Sequence, residues 1–108
     1  MTTVEHLAEI QQVCAAASCK AETGQNYVYL PGLSIRVGAK TETRDALLTL
    51  QAHSGYASRL FLSAPIAGRG QNWTCHAVLG RSWHTPSWNN VAPGRPIEML
   101  VQHLKVYQ

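Results

Sequence analysis

Three cysteines and five histidines are the residues of this chain best suited to chemistry. A thiolate is a strong nucleophile, and the thioester that it forms with an acyl group remains open to attack by an amine. Cys75 lies between Trp73 and His76 in a polar, glycine-containing stretch, as expected of an accessible thiol. The alternative interpretation is a small buried hydrophobic residue, since free cysteines are often that. Cys75 is therefore the first candidate nucleophile.

Two histidines lie near enough in sequence to assist this thiol, His76 and His84. An imidazole takes a proton from a thiol or from an incoming amine. Adjacent residues of a strand point to opposite faces, so a pair of Cys75 with His76 requires an irregular backbone. A pair of Cys75 with His84 requires that the segment around Trp83 fold back toward the cysteine. For both histidines, an exposed position without a catalytic role is the simpler interpretation. A cysteine-protease triad is disfavoured because Asp45 is the only aspartate of the chain.

The cysteines are not spaced like metal ligands. Cys14 lies on the apolar side of a predicted first helix, and Cys19 is rotated by about 140° from it at about 3.6 residues per turn. Zinc sites built from cysteine use close paired spacings, which this chain lacks. We expect no metal and no other cofactor. An odd number of cysteines without an export signal indicates free thiols in a reducing compartment, so we expect a cytoplasmic protein.

Composition narrows the classes of function. The 108 residues are 45% hydrophobic and 14% charged, which predicts one soluble domain spanning 1–108. The net charge of +3 comes from scattered lysines and arginines, which disfavours a nucleic-acid binder; only Arg81 near Trp83 places a cation beside an aromatic ring. No apolar run has the length of a membrane span. We therefore expect neither nucleic acid nor membrane as a partner.

The hydrophobic pattern predicts an α+β fold. Apolar residues recur at helical spacing over 3–19, and Pro96 is well placed to begin a second amphipathic helix. A region dense in Gly, Asn, Trp, His and Pro, 67–94, predicts a long ordered active-site loop. Between the first helix and this loop we predict an antiparallel meander of three or four strands. Its β-prone segments are 27–30, 33–37, 46–51 and 59–63.

The stretch from Tyr56 to Trp88 resembles the ubiquitin-conjugating enzymes. In that family a loop leads to a cysteine with a short apolar stretch after it, and a tryptophan lies eight residues beyond the cysteine, before a serine-proline turn and a helix. Here Trp83 also lies eight residues beyond Cys75, and Pro86 precedes the last helix. The resemblance implies a UBC-like fold with the order helix, meander, active-site loop, helix.

The resemblance also implies a transferase. An activating-enzyme-like protein would pass the C-terminal acyl group of a ubiquitin-like protein to Cys75, and an amine of a target protein would then take it. By position, the family's ligase-facing surface corresponds to Phe61, Pro65, Trp83 and Pro86. The short chain looks more like the divergent bacterial members, which are encoded beside a ubiquitin-like protein and an activating enzyme, in some operons for antiphage defence.

One motif of the family is missing. Its His-Pro-Asn sequence before the cysteine has no counterpart, since Pro65, Ile66 and Ala67 occupy those positions. In the family this asparagine supports the oxyanion of aminolysis, and Asn72 is the nearest substitute. The gap leaves a second hypothesis open, a non-catalytic module that binds a ubiquitin-like protein on the same fold. Cys75 at the matching spacing favours the enzyme.

Overall fold

A computed structural model describes residues 4–22, 24–49, 58–88, 91–92 and 94–108, without the side chain of Val4. Across these residues six strands form one antiparallel sheet in the order β1-β2-β3-β4-β6-β5. The α+β class is confirmed, with more strands than the three or four predicted. The elements are α1 (Val4–Gln11), β1 (Ser18–Glu22), β2 (Gln25–Val37), β3 (Lys40–Thr49), β4 (Leu60–Leu62), β5 (Thr74–Val78), β6 (Arg81–Thr85), α2 (Pro96–Leu104) and a 3-10 turn, Lys105–Tyr107.

The first helix is shorter than the prediction of 3–19. It ends at Gln11, where the backbone N–H groups of Val13 and Cys14 both turn back to the Ile10 carbonyl. The chain then reverses into β1, whose first two residues, Ser18 and Cys19, fall at the end of the predicted helix. The apolar spacing of Ile10, Cys14 and Ala17 was misleading because all three are buried in the core, whether or not the backbone between them is helical. Residue 3 lies outside the described residues.

The predicted segments 27–30 and 33–37 belong to one long strand. Pro31 and Gly32, predicted as a turn between them, form an irregularity at which the register with β3 shifts between Leu30 and Leu33. Gly32 has φ 65°, and its N–H donates to Oδ1 of Asp45 at 2.9 Å. A bulge of this kind absorbs an extra residue while both halves keep pairing with the same neighbour. The polar stretch before residue 46 accordingly forms the first half of β3, whereas residues 50 and 51 lie outside the described residues.

The predicted long loop 67–94 contains a β-hairpin, β5–β6. Its turn places Leu79 and Gly80 at φ 51° and 77°, the pair of positive angles that a two-residue type I′ hairpin turn requires. The usual sequence signal for this turn is Asn-Gly or Asp-Gly. Here leucine occupies the first turn position, so the sequence does not indicate the turn. Cys75 therefore lies on a regular strand, and this corrects the prediction that it lies in a loop.

The second helix begins at Pro96, as predicted. The Glu98 side chain accepts the N–H of Arg95 at 2.9 Å, which satisfies a free donor at the helix start. Nη1 of Arg95 also lies 2.8 Å from Oε2 of Glu9 and so joins the two helices. Neither helix is long and apolar enough, over the residues described, to cross a membrane.

The sheet has a hydrophobic core on each face. The larger core lies under the helices and includes Ile10, Leu30, Leu62 and Leu100. The smaller core lies on the opposite face and comprises Tyr27, Leu47, Phe61, Val78 and Trp83. The strands β1 and β5 are at opposite ends of the sheet order, yet Glu22 of β1 accepts the N–H of Leu79 beside β5. The sheet therefore curls around the smaller core.

Candidate functional site

The β5–β6 hairpin places Cys75 directly opposite His84. The two are Cα partners in the antiparallel register, Cys75 is exposed, and His84 is half-buried. Side chains directly opposite each other in such a pair lie on one face, with Cβ atoms about 4.5–5.5 Å apart. His84 is also the partner of Leu62, so the pair lies on the face that carries the helices. The structure thus brings together the predicted nucleophile and one of its two candidate bases.

The other candidate base, His76, points to the opposite face. Its Nε2 lies 2.9 Å from Oγ1 of Thr74, and its ring packs edge-on against Phe61 at 5.4 Å. Burial, followed by the positive charge of Arg59, lowers the pKa of His76. Because β5 is a regular strand, His76 faces away from the Cys75 thiol, and direct proton transfer between the two is disfavoured.

Asn72 lies in the loop before β5 and is exposed. Its φ of 52° is left-handed, a conformation that asparagine tolerates better than most residues. Gly68 and Gly70 in the same loop also have positive φ angles, both 74°. The backbone therefore explains an asparagine at this position, and support of an oxyanion by Asn72 stays a prediction.

Three of the four residues predicted to face a ligase are buried. Trp83 is 1% exposed, Phe61 is 0% exposed, and Pro86 is also buried. The indole Nε1 of Trp83 donates to the Val78 carbonyl at 3.0 Å across the hairpin. Phe61 and Trp83 pack the smaller core, whereas Pro86 lines the small cavity beside His103 and Tyr107, so the three leave almost no surface for a partner. Pro65 alone of the four is exposed.

The hairpin is held at both ends. Near the start of β5, the Trp73 ring stacks on Tyr107 at 6.2 Å with an interplanar angle of 26°. At the turn, Oε2 of Glu22 accepts the Leu79 N–H at 3.0 Å. Cys75 lies between these two attachments. The thiol is therefore displayed on a supported strand.

No family model, curated protein or solved structure matches this chain. Among the described residues, no three His, Cys, Asp or Glu side chains are close enough to bind a metal ion. A function must therefore be argued from the residues themselves and from their geometry.

A buried serine-histidine pair escaped the sequence analysis. Oγ of Ser58 lies 3.0 Å from Nε2 of His103 and donates to the Thr49 carbonyl at 2.9 Å, so the imidazole is the donor to Ser58. Burial lowers the pKa of His103 to about 4. The adjoining cavity holds only about 10 Å³, too little for a substrate. We assign the pair to stability, and the position of His103 after Met99 and Leu100 on the apolar side of α2 was the available signal.

Proposed function

We propose that this chain carries the C-terminal acyl group of a ubiquitin-like protein as a thioester on Cys75. An activating-enzyme-like protein would supply the acyl group, and an amine of a target protein would receive it. The observation that carries the proposal is an exposed thiol directly opposite an imidazole on a supported hairpin, Cys75 with His84. A reducing compartment such as the cytoplasm would keep this thiol free.

The chemistry needs two acyl transfers. In the first, the Cys75 thiolate attacks the carbonyl carbon of the donor thioester, the new C–S bond forms, and the donor thiolate leaves. In the second, the target amine attacks the same carbon, the C–N bond forms, and Cys75 leaves as a thiolate. His84 would accept the proton of the thiol before the first step, give it to the departing donor thiolate, and then, neutral again, accept the proton of the amine in the second step. No electrons are exchanged with an oxidant or a reductant.

The outer edge of β5 supports the placement of the acyl group. β5 ends the sheet order, and no other described strand pairs with its outer side. Backbone N–H and C=O groups along such an edge bind an extended segment as an additional strand. A modifier's C-terminal tail, when extended, has the required shape and would run past Cys75. In this proposal the β5–β6 hairpin presents the cysteine, a role that the family resemblance assigns to an active-site loop.

The same edge favours a second candidate, the non-catalytic module. Strand addition at β5 would hold the tail of a ubiquitin-like protein without using the thiol, and the missing His-Pro-Asn motif agrees with such a role. The two candidates differ in one observable. Only the enzyme forms a covalent adduct at Cys75.

A charging assay tests the proposal. The chain is incubated with ATP, an activating-enzyme-like protein and a ubiquitin-like protein, the two partners that the family resemblance predicts to be encoded beside its gene, and the products are run on a non-reducing gel. We expect an adduct that thiol reductant removes and that Cys75→Ala abolishes. Cys19→Ala is the matched control, because Cys19 is also exposed on a strand, and it should charge normally. If the activating enzyme carries the ubiquitin-like protein as its own thioester but no adduct forms on this chain, the proposal of a conjugating enzyme is wrong. Binding of the ubiquitin-like protein without an adduct would support the non-catalytic module.

A further inference from the structure

A cavity of about 350 Å³ opens on the sheet face opposite the helices. Its walls are Lys20, Tyr29, Leu79, Arg81 and Trp83, contributed by β1, β2 and the β5–β6 hairpin. The curl of the sheet creates it, since the paired strands β1 and β2 approach the β5–β6 hairpin across the smaller core. Its volume falls at the lower end of the range typical of small-ligand sites, roughly 300–1,000 Å³.

The walls of the cavity are fixed by contacts among themselves. The guanidinium carbon of Arg81 lies 4.4 Å from the centroid of the Trp83 ring, and Nη1 of Arg81 lies 3.4 Å from Oδ2 of Asp45. Tyr29 meets Trp83 edge-on, with centroids 6.4 Å apart and an interplanar angle of 82°. Trp83 is almost fully buried, so it supports Arg81 and Tyr29 from below. A ligand would therefore meet Tyr29, Leu79 and Arg81 in positions that need little reordering, whereas the exposed Lys20 side chain would be ordered on binding.

The charges around the cavity favour an anion. Its lining carries two cations and no carboxylate. Of the neighbouring carboxylates, Asp45 pairs with Arg81 and Glu22 accepts the N–H of Leu79, so Lys20 is the lining cation that an anionic ligand would meet without a competing ion pair. Within the part of the chain that the structure describes, Lys20 forms no ion pair. The Lys20 ammonium is therefore available to a ligand.

We infer that this cavity is a binding site for a flat aromatic carboxylate. The ring would lie against Tyr29 and Leu79, and the carboxylate would bind the ammonium of Lys20 and the guanidinium of Arg81. The site is separate from Cys75, which faces the other side of the sheet, and it does not depend on the proposed acyl transfer.

Binding of naphthalene-2-carboxylate to the intact chain tests the inference, followed by amide and indole shifts in two-dimensional NMR. We expect saturable shifts centred on Tyr29, Leu79 and the Trp83 indole. The neutral analogue naphthalene-2-methanol should bind more weakly, and acetate, which has no ring, should give no saturable shifts there. Lys20→Gln should weaken binding of the carboxylate roughly fivefold, as expected for loss of a partly exposed charge contact, and leave the alcohol unaffected.

Two further variants keep the result decisive. Lys105→Gln removes an exposed lysine that does not line the cavity and should change nothing. Leu79→Gly removes the leucine side chain from the cavity wall, so binding of the carboxylate should fall. The hairpin turn should still form, because the φ of 51° at this position suits glycine. Equal affinity for carboxylate and alcohol, an unchanged affinity in Lys20→Gln, or shifts that saturate elsewhere on the sheet would each overturn the inference.

Discussion

Glu22 and Leu79 join the two ends of the sheet, with the Glu22 carboxylate accepting the Leu79 backbone N–H at 3.0 Å. We expect Glu22→Ala to lower the free energy of unfolding by about 1 kcal/mol, the usual value for one hydrogen bond near the surface. Urea denaturation measures this change.

Glu22→Gln is the matched control for this contact, because its amide oxygen can still accept the N–H. It should retain most of the stability. If Glu22→Ala and Glu22→Gln unfold at the same urea concentration as the parent, the contact does not hold the hairpin in place.

The buried His103 should make stability depend on pH. Its folded pKa of about 4 lies below the ordinary value of about 6.5, so the unfolded chain binds its proton first as the pH falls. The stabilising contribution is complete above about pH 6.5 and is lost as the pH falls toward about 4, in total on the order of 3 kcal/mol. Urea unfolding at a series of pH values across this interval measures the slope.

His103→Gln should flatten most of that slope. Some dependence should remain in the variant because the pKa of His76 is also lowered, mainly by burial, and acts in the same direction. An unchanged slope in His103→Gln would contradict the assignment. Ser58→Ala, which removes the partner oxygen, should cost about 1–3 kcal/mol at neutral pH.

The pairing of Cys75 with His84 predicts which histidine affects thiol reactivity. We expect His84→Gln to slow alkylation of Cys75 by iodoacetamide at neutral pH by about tenfold, since the nearby base that takes the thiol proton is lost. Mass spectrometry of the peptides separates this rate from that of Cys19.

His76→Gln provides the comparison, because His76 lies on the same strand and points to the other face. Its rate of alkylation at Cys75 should match that of the parent. A slower rate in His76→Gln together with an unchanged rate in His84→Gln would reverse the assignment of the base.

The loop before β5 should tolerate alanine at Gly68 better than at Gly70. Both have φ 74°, so the left-handed backbone penalises alanine equally, by about 1–2 kcal/mol. A Cβ at Gly70 would lie 2.9 Å from Cβ of Pro86 and 3.0 Å from Nε1 of Trp73, whereas nothing lies within 4 Å of one at Gly68.

We therefore expect Gly70→Ala to be less stable than Gly68→Ala by about 1–3 kcal/mol, in the range of overpacking in a well-packed region. Thermal unfolding of the two variants side by side gives the difference. Equal melting temperatures would mean that Pro86 and Trp73 do not pack against this loop as described.

Local patterns predicted the elements that depend on neighbours in sequence. The proline at the start of α2 fixes a helical φ without needing an N–H, so Pro96 marked the helix correctly. Cys75 was predicted to be accessible from the polar residues around it, and it is exposed. The sequence also limited its pairing to His76 or His84, and only the register of β5 with β6 separates the two.

The misses arose where distant residues decide the local structure. Residues Ser18–Glu22 are a strand because β2 lies beside them, and nothing within those five residues indicates it. The family resemblance alone assigns Trp83 and Phe61 to a partner-facing surface, and the sequence does not correct it, because the curl of the sheet around the smaller core has no local signature. The cavity at Lys20 and Arg81 escaped notice for the same reason, since its walls meet only after β1 and the hairpin converge.

The thiol of Cys14 donates to the Pro31 carbonyl at the bulge of β2, 3.4 Å away, and burial raises the pKa of Cys14. Cys19 and Cys75 are exposed, so a mild thiol reagent would modify two cysteines in the native chain and a third only after unfolding. Labelling of Cys14 thus reports whether the core of the protein is folded. The stoichiometry of labelling would tell, for any variant described above, whether a lost activity reflects a changed site or an opened core.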